Sequence, residues 1–387
     1  MFPLIAILAP AGFVLGSIVY CVMSIVAARQ YRKVCAQPAR ERAQLSILKP
    51  LHGLDEGLDK NLRSYFRQNY LLPDGSPAFE ILCATRNPQD PALDVVRGLQ
   101  KEYPSVPCRI FQTGEPPYAN AKVFSLDTML GQARYDLLVM ADSDVRVDPG
   151  FLDAINAEFQ DASVGLVSCL YRAVPGRSVW SFLEALHMNT EFLGGVLTAR
   201  MLEGVRFALG PTIAARRGVI AAVGGFDELK DYLAEDFVMG HRAAELGHGV
   251  LLSSAIIEHR IGSQNLASNL GHRLRWARST RRSRPAGYFG EIFLRPLALA
   301  CILTVIYPPA WPALIGVWLL RCWQALEMAA TVHLRMTAKH WLLLPIQDLL
   351  SFVLWFAGFF GNSIWWRGRR YRLLPDGRFV LVNTGGA

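Results

Sequence analysis

"VMADSDVRVD", residues 139–148, sets the end of an apolar run against two carboxylates. The residues leading into it, Tyr135-Asp136-Leu137-Leu138, continue the run backwards and predict a buried strand over 136–140. Asp142 and Asp144 follow, with only Ser143 between them. Such a pair suits a divalent cation, because hard cations take carboxylate oxygens. It suits equally an Asx-type turn leaving the strand with solvated carboxylates.

Outward from this strand the elements alternate. Apolar runs at 45–48, 79–84 and 108–111 read as strands, and 62–70, 92–103 and 123–133 as helices. The order predicts an α/β domain with a mixed, mostly parallel sheet covered on both faces. Ligands of such sheets bind outside the carboxyl ends of the strands. Asp142 and Asp144 fall there, as do Lys49 and Asp90.

The 387-residue chain is 52% hydrophobic, with a mean hydropathy of +0.22. Residues 2–28 carry no charge, and about 20 apolar residues cross a bilayer. With no basic leader and no clean cleavage site, residues 1–28 read as a retained anchor. Arg29, Arg32, Lys33, Arg40 and Arg42 follow it, which by the positive-inside rule puts the central domain, 45–290, in the cytoplasm. In a bacterium this is the inner membrane. The region 291–365 holds two to three further apolar segments. Those at 297–307 and 310–320 flank Pro308 and Pro309 and form a hairpin or one kinked span; 341–360 is interrupted by Pro345 and Asp348. The charge rule favours an odd number of crossings. Residues 366–387 form a basic cytoplasmic tail, opening beside the interfacial Trp365-Trp366.

The net charge of +8 suits a partner of anionic lipid headgroups. Membrane anchoring excludes nucleic acid as the better explanation. Seven scattered cysteines without a C-x-x-C pair exclude a disulfide framework and a zinc site.

Five motifs then occur in order: "ILKPLHG" (47–53), "QDPALDV" (89–95), "DSD" (142–144), "AED" (234–236) and "HRLRW" (272–276). Together with the terminal "WWRGRRYRL" they resemble the D, D, D, (Q/R)xxRW pattern of inverting glycosyltransferases with a GT-A fold. The match is to the ceramide glucosyltransferase type and the related bacterial hopanoid-associated enzymes. The resemblance implies a UDP-sugar donor, a lipid acceptor (ceramide or hopanoid), and Mn²⁺ or Mg²⁺. It implies Asp90 near the uracil and ribose, Asp144 on the metal, and Asp142 on the ribose or metal. It makes Asp236 the general base and puts Arg275 and Trp276 on the diphosphate and the acceptor side. His272 stands where the family has Gln or Arg, and Asp142-Ser143-Asp144 where animal ceramide enzymes tend to have D-S-G.

The same residues can be read as chemistry. Inverting transfer needs one carboxylate within reach of the acceptor hydroxyl. Asp236 fits, although aspartate before a helical run is also a good N-cap; Glu235 is the rival base. A departing diphosphate needs fixed positive charge. Six arginines lie within 273–284; most suit a membrane-facing patch, and Arg275 is the one assigned to phosphate. Lys122 is a second cation for the nucleotide sugar, or a solvated lysine. Gly210-Pro211-Thr212 reads as a plain turn, or as an interruption close to a ligand in a strand covering 207–216. Gly224-Gly225-Phe226 reads as a loose connection, and the 180–201 tract as an interfacial helix whose His187 lines an acceptor path or sits in a core.

The resulting expectation is glucose transfer from UDP-glucose to the primary hydroxyl of ceramide. N-acetylglucosamine transfer to a hopanoid, a processive polysaccharide synthase and a non-catalytic membrane scaffold are the rivals. The intact acidic set speaks against the scaffold.

Overall fold

A computed structural model describes residues 2–35, 38–39, 41–366 and 368–382. Arg40, Arg367 and the last five residues of the expected basic tail lie outside the described residues. The chain divides into two compact units.

The sheet unit comprises Cys35–Val174, Val205–Gly262 and Gly377–Ala387. Its strands are β1 (Leu45–Pro50), β2 (Phe79–Thr85), β3 (Cys108–Gln112), β4 (Leu137–Ala141), β5 (Val145–Arg146), β6 (Val164–Pro175), β7 (Thr212–Arg216) and β8 (Gly249–Ile261). They form one mixed sheet in the order β3-β2-β1-β4-β7-β6-β8-β5. β1 runs parallel to both β2 and β4, and β2 to β3; β7 then returns antiparallel to β4. β2 and β4 are buried along their whole length, which is why they read as unbroken apolar runs. The strand order reverses at β1–β4, so a crevice opens at their carboxyl ends. Asp142 is the first residue past β4.

One face of this sheet is covered by the helices Ala121–Gln132, Arg217–Ala222 and Glu235–Glu245. Leu126, Met140, Ile213, Ile220 and Met239 meet in the core between them. Gly240 lets the third helix lie against backbone: a Cβ there would stand 2.3 Å from Ala208 N.

Several boundaries differ from expectation. The helix expected at 62–70 runs Leu58–Phe66. The helix expected at 123–133 starts at Ala121, because the Asn120 side chain caps it by accepting from Val123 N. At Gly210-Pro211 the plain-turn reading holds: β7 begins at Thr212, and 207–209 is not a strand. Phe226 is a core residue within a run of turns.

The helical unit comprises Met1–Val34, Pro175–Gly204 and Ser263–Asp376. The domain expected at 45–290 is therefore not one body: the 180–201 tract and the HRLRW helix, Leu266–Ser283, go with the apolar helices. Among the described residues three helices are long and apolar enough to cross a membrane: Ile5–Tyr31, Pro308–Thr331 and Ala338–Gly358. A fourth candidate is the pair Pro285–Leu294 and Pro296–Ile306, bent by 65°. This is the make-up of a membrane protein. Of the two readings for 297–307 and 310–320, the hairpin holds. The helices Pro296–Ile306 and Trp311–Thr331 meet at Pro308 and Pro309 and pack on each other, Leu299 and Leu303 against Val317, with the second arm running on to Thr331.

Asp348, which interrupts the last apolar run, is buried against Arg321 at 2.8 Å, and Arg321 also donates to Thr190 Oγ1. Charges inside apolar helices persist when paired like this. Glu327 holds both Arg29 and Arg32 at 2.5 Å, so part of the basic cluster after the first helix is neutralised.

Candidate active site

The site in the sheet unit is built from the end of β4. Asp142 N–H donates to Pro211 O, joining the β4 end to the Gly210 turn before β7. Lys49, at the end of β1, is fully buried, and its ammonium donates to Asp142 O at 2.5 Å and lies 4.1 Å from the centre of the Tyr65 ring. Burial pushes its pKa down to about 8. Lys49, one of the residues placed at the ligand end of the sheet, thus holds the backbone of the acidic turn.

Lys122 is not a solvated lysine. Its ammonium lies 2.9 Å from Asp142 Oδ1 and 3.2 Å from Glu235 Oε1. Burial opposes its charge, but the surrounding carboxylates, Asp142 first, outweigh it and raise its pKa. Asp142 is itself raised above the ordinary carboxylate range by burial, partly offset by Lys122.

Asp144 points to another partner. Its Oδ2 lies 3.2 Å from His259 Nε2, on β8. Burial works against the Asp144 charge, yet His259 beside it leaves the carboxyl below the ordinary range. Oδ1 of Asp144 is buried with no hydrogen-bond partner among the described residues. Two carboxylates with one orphaned oxygen fit a divalent cation whose remaining positions are filled by ligand oxygens. Among the described residues no three acidic, His or Cys side chains converge into a ready-made cage.

Asp236 lies in the first turn of the Glu235–Glu245 helix, but it is not the cap. Ala234 occupies that position, with no side-chain cap bond. The Asp236 pKa is pushed up to about 7, by burial first and by Glu235 second, with Lys122 opposing. Glu235, the rival base, is engaged: besides Lys122, the Asn120 amide lies 3.5 Å from its Oε2. Asp90 accepts from Gly53 N at 3.0 Å and from Ala92 N at 2.9 Å. It ties the ILKPLHG turn to the start of the next helix.

The sequence reading missed His259. It sits in "IIEHRI", 115 residues after Asp144, with no local signal for the pairing.

In the helical unit, His272 Nδ1 lies 2.7 Å from Glu184 Oε1, and its ring packs against Trp276 at 4.8 Å between centres, tilted by 57°. His272, which stands in the motif's Gln/Arg position, is thus paired with a buried carboxylate. Arg275 lies 5.9 Å over the Trp366 ring. Arg278, Arg281 and Arg282, expected in a lipid-facing patch, bond the chain itself. Arg278 and Arg281 donate to the backbone carbonyls of Phe360, Ser363, Phe359 and Gly361, and Arg282 donates to Asn362 Oδ1. They hold the segment 359–363 that leaves the Ala338–Gly358 helix, satisfying backbone carbonyls past its end. Arg273 is buried on Gln347 and Ser351, and His187 lies between Glu191 and Ser351.

The profile of Glycosyl transferase family 21 matches residues 11–379. The chain belongs to glycosyl transferase family 21. Ceramide glucosyltransferase 1 of Caenorhabditis elegans is 27% identical over 264 residues, covering 65% of this chain and 55% of that one. A ceramide glucosyltransferase of Komagataella phaffii is 32% identical over 120 residues, 29% of this chain and 22% of that one. This family 21 chain spans about half the length of the first of these relatives. A mannosyltransferase from Pyrobaculum calidifontis, solved with GDP-Man and Mn²⁺, superposes with a TM-score of 0.54 at 17% identity, covering 91% of this chain and 98% of that one. The fold is GT-A, as the motifs implied.

Proposed function

We propose that this family 21 chain transfers glucose from UDP-glucose to the primary hydroxyl of ceramide, with inversion, at the cytoplasmic face of a membrane. The names of its relatives support the lipid and the sugar. The apolar helices support a membrane-held acceptor, and the basic residues after the first helix support the orientation.

The observation that carries the chemistry is the buried Asp236 carboxylate, which does not cap its helix, stands against Gly210, and is pushed by burial to a pKa of about 7. A base is most effective when its pKa lies near the working pH. The acceptor oxygen attacks the anomeric carbon on the face opposite the diphosphate as Asp236 takes the hydroxyl proton. The bond from the anomeric carbon to the diphosphate oxygen breaks, and its electron pair leaves with UDP. Lys122 keeps Glu235 and Asp142 paired, which leaves Asp236 the carboxylate free to cycle a proton. Asp144 and Asp142, with His259 alongside, would hold Mn²⁺ or Mg²⁺, whose chemistry is to neutralise charge on a leaving diphosphate. Arg275 keeps the diphosphate role, and Trp276 the acceptor role, that the motif gives them.

Mass spectrometry of lipids from cells with and without the chain tests this. A new monohexosyl-ceramide supports it, and an N-acetylhexosaminyl hopanoid replaces it with the second acceptor class.

A further inference from the structure

The sheet unit contains a segment that the chemistry above does not use. Gly377–Leu381 follows the last apolar helix in sequence, yet it belongs to the sheet unit. Besides its strand pairing at Phe379–Leu381, it contacts the loop that delivers Asp236. Arg378 forms an antiparallel bridge with Tyr232, and Phe379 N–H donates to Asp231 O at 2.8 Å. The Phe379 side chain is 1% exposed. The Arg378 guanidinium lies 5.4 Å over the Tyr232 ring, with Arg242, from the Asp236 helix, at 5.9 Å over the same ring.

The contacts continue inward. Tyr232 O accepts from the Asn120 amide at 2.9 Å, and that amide also lies 3.5 Å from Glu235 Oε2. The other end of Asn120 caps the helix that carries Lys122. A single side chain thus links the loop to Glu235, the neighbour of Asp236. The loop itself, 223–234, is mainly turns, entered through Gly224 and Gly225 at φ 95° and 68°. Phe226 and Leu229 seat the first part of this loop in the core, and the 377–381 segment contacts its later part at Asp231 and Tyr232.

We propose that Gly377–Leu381 is a positioning strap for the base, with Phe379 as its anchor and the Tyr232 carbonyl and Asn120 passing its hold to Glu235 and Asp236. This rests on Asp236 being the base. Phe379 and Arg378 touch neither substrate nor reacting atoms in this account. They act by fixing the loop, and misplacing a reacting group by about 1 Å costs on the order of 10²-fold in rate.

The test uses the full chain in detergent with Phe379→Ala and Phe379→Leu. Hydrogen exchange is read over 229–237 and over the rest of the sheet unit, together with kcat and the donor KM. The strap predicts faster exchange confined to 229–237, a fall in kcat of about tenfold or more, and an unchanged KM for UDP-glucose. Leucine, which refills the anchor site, should restore both. Unchanged exchange at 229–237 overturns the proposal, as does a uniform rise throughout the sheet unit. So does a donor KM that rises as much as kcat falls. If the alanine variant does not accumulate, Arg378→Ala carries the same readouts through the Tyr232 bridge. The exchange measurement needs no acceptor. A wild-type chain inactive on ceramide would refute the acceptor reading, while the exchange data still decide the strap.

Discussion

Gly210 and Asp236 lie so close that a Cβ at position 210 would stand 2.6 Å from Asp236 Oδ2 and 3.3 Å from its Cγ. Position 210 needs no left-handed backbone, so the glycine serves the space and not the turn. In Gly210→Ala the carboxylate must rotate away, a movement that a side-chain tip makes at little cost to the fold. Transfer should fall by about 10²-fold, with the melting temperature and UDP affinity close to wild type. Normal transfer would mean that the carboxylate does not work from this position.

The acid limb of kcat/KM should lie near pH 7. Asp236 must be ionised to accept a proton, and its pKa is pushed up to about 7. Activity is therefore full above that pH and falls about tenfold per unit below it. Lys122 is one of the groups holding this pKa down. Lys122→Met should move the limb to higher pH. It should also lower stability by about 3 kcal/mol, because it strands Asp142 and Glu235 without their cation. A limb that stays in place would separate Lys122 from the base.

Much of this site was legible because it is local. The apolar run of β4, the two aspartates after it and the alternation of strands and helices sit within short windows, and all follow from periodicity. What was hidden depends on partners far away in the chain. β6 and β8 pair through antiparallel neighbours that no local pattern names. Lys122 read as solvated because Glu235 is 113 positions further on. The arginines of 278–282 read as a lipid patch because the carbonyls they bond lie about 80 residues later. The division into units was hidden for the same reason: polar residues in 263–290 find their partners among apolar helices.

Removal of divalent metal should abolish transfer, and Asp144→Ala should abolish Mn²⁺ binding. The orphaned Oδ1 of Asp144 motivates this. Titration of Mn²⁺ followed by its paramagnetic resonance, in the presence of UDP, reads the site without turnover. His259→Ala should weaken binding less, because it leaves both carboxylates. Full activity in excess chelator would leave the diphosphate to fixed cations alone.

The two roles assigned to arginines should separate cleanly. Arg281→Ala removes donors from the backbone just past the Ala338–Gly358 helix, at Phe359 and Gly361. It should lower thermal stability and leave kcat per folded molecule unchanged. Arg275→Ala should do the reverse, raising the donor KM at nearly constant stability. If both variants lose only stability, the diphosphate is held elsewhere.

The decisive comparison is Asp236→Asn against Glu235→Gln. As a cap, Asp236 would tolerate asparagine, which serves that position equally well. The helix, however, starts at Glu235 with Ala234 at the cap position, so capping does not account for the carboxylate. Losing a general base costs on the order of 10²–10⁴-fold in rate. Asp236→Asn should show that loss with UDP-glucose binding and melting temperature retained. Glu235→Gln keeps the contact to the Asn120 amide but weakens the pair with Lys122. It also removes the negative charge that helps raise the Asp236 pKa. Its transfer should persist, with the acid limb moved below pH 7. If instead Glu235→Gln is inactive and Asp236→Asn turns over normally, the base is Glu235, and Lys122 is the group that must release it.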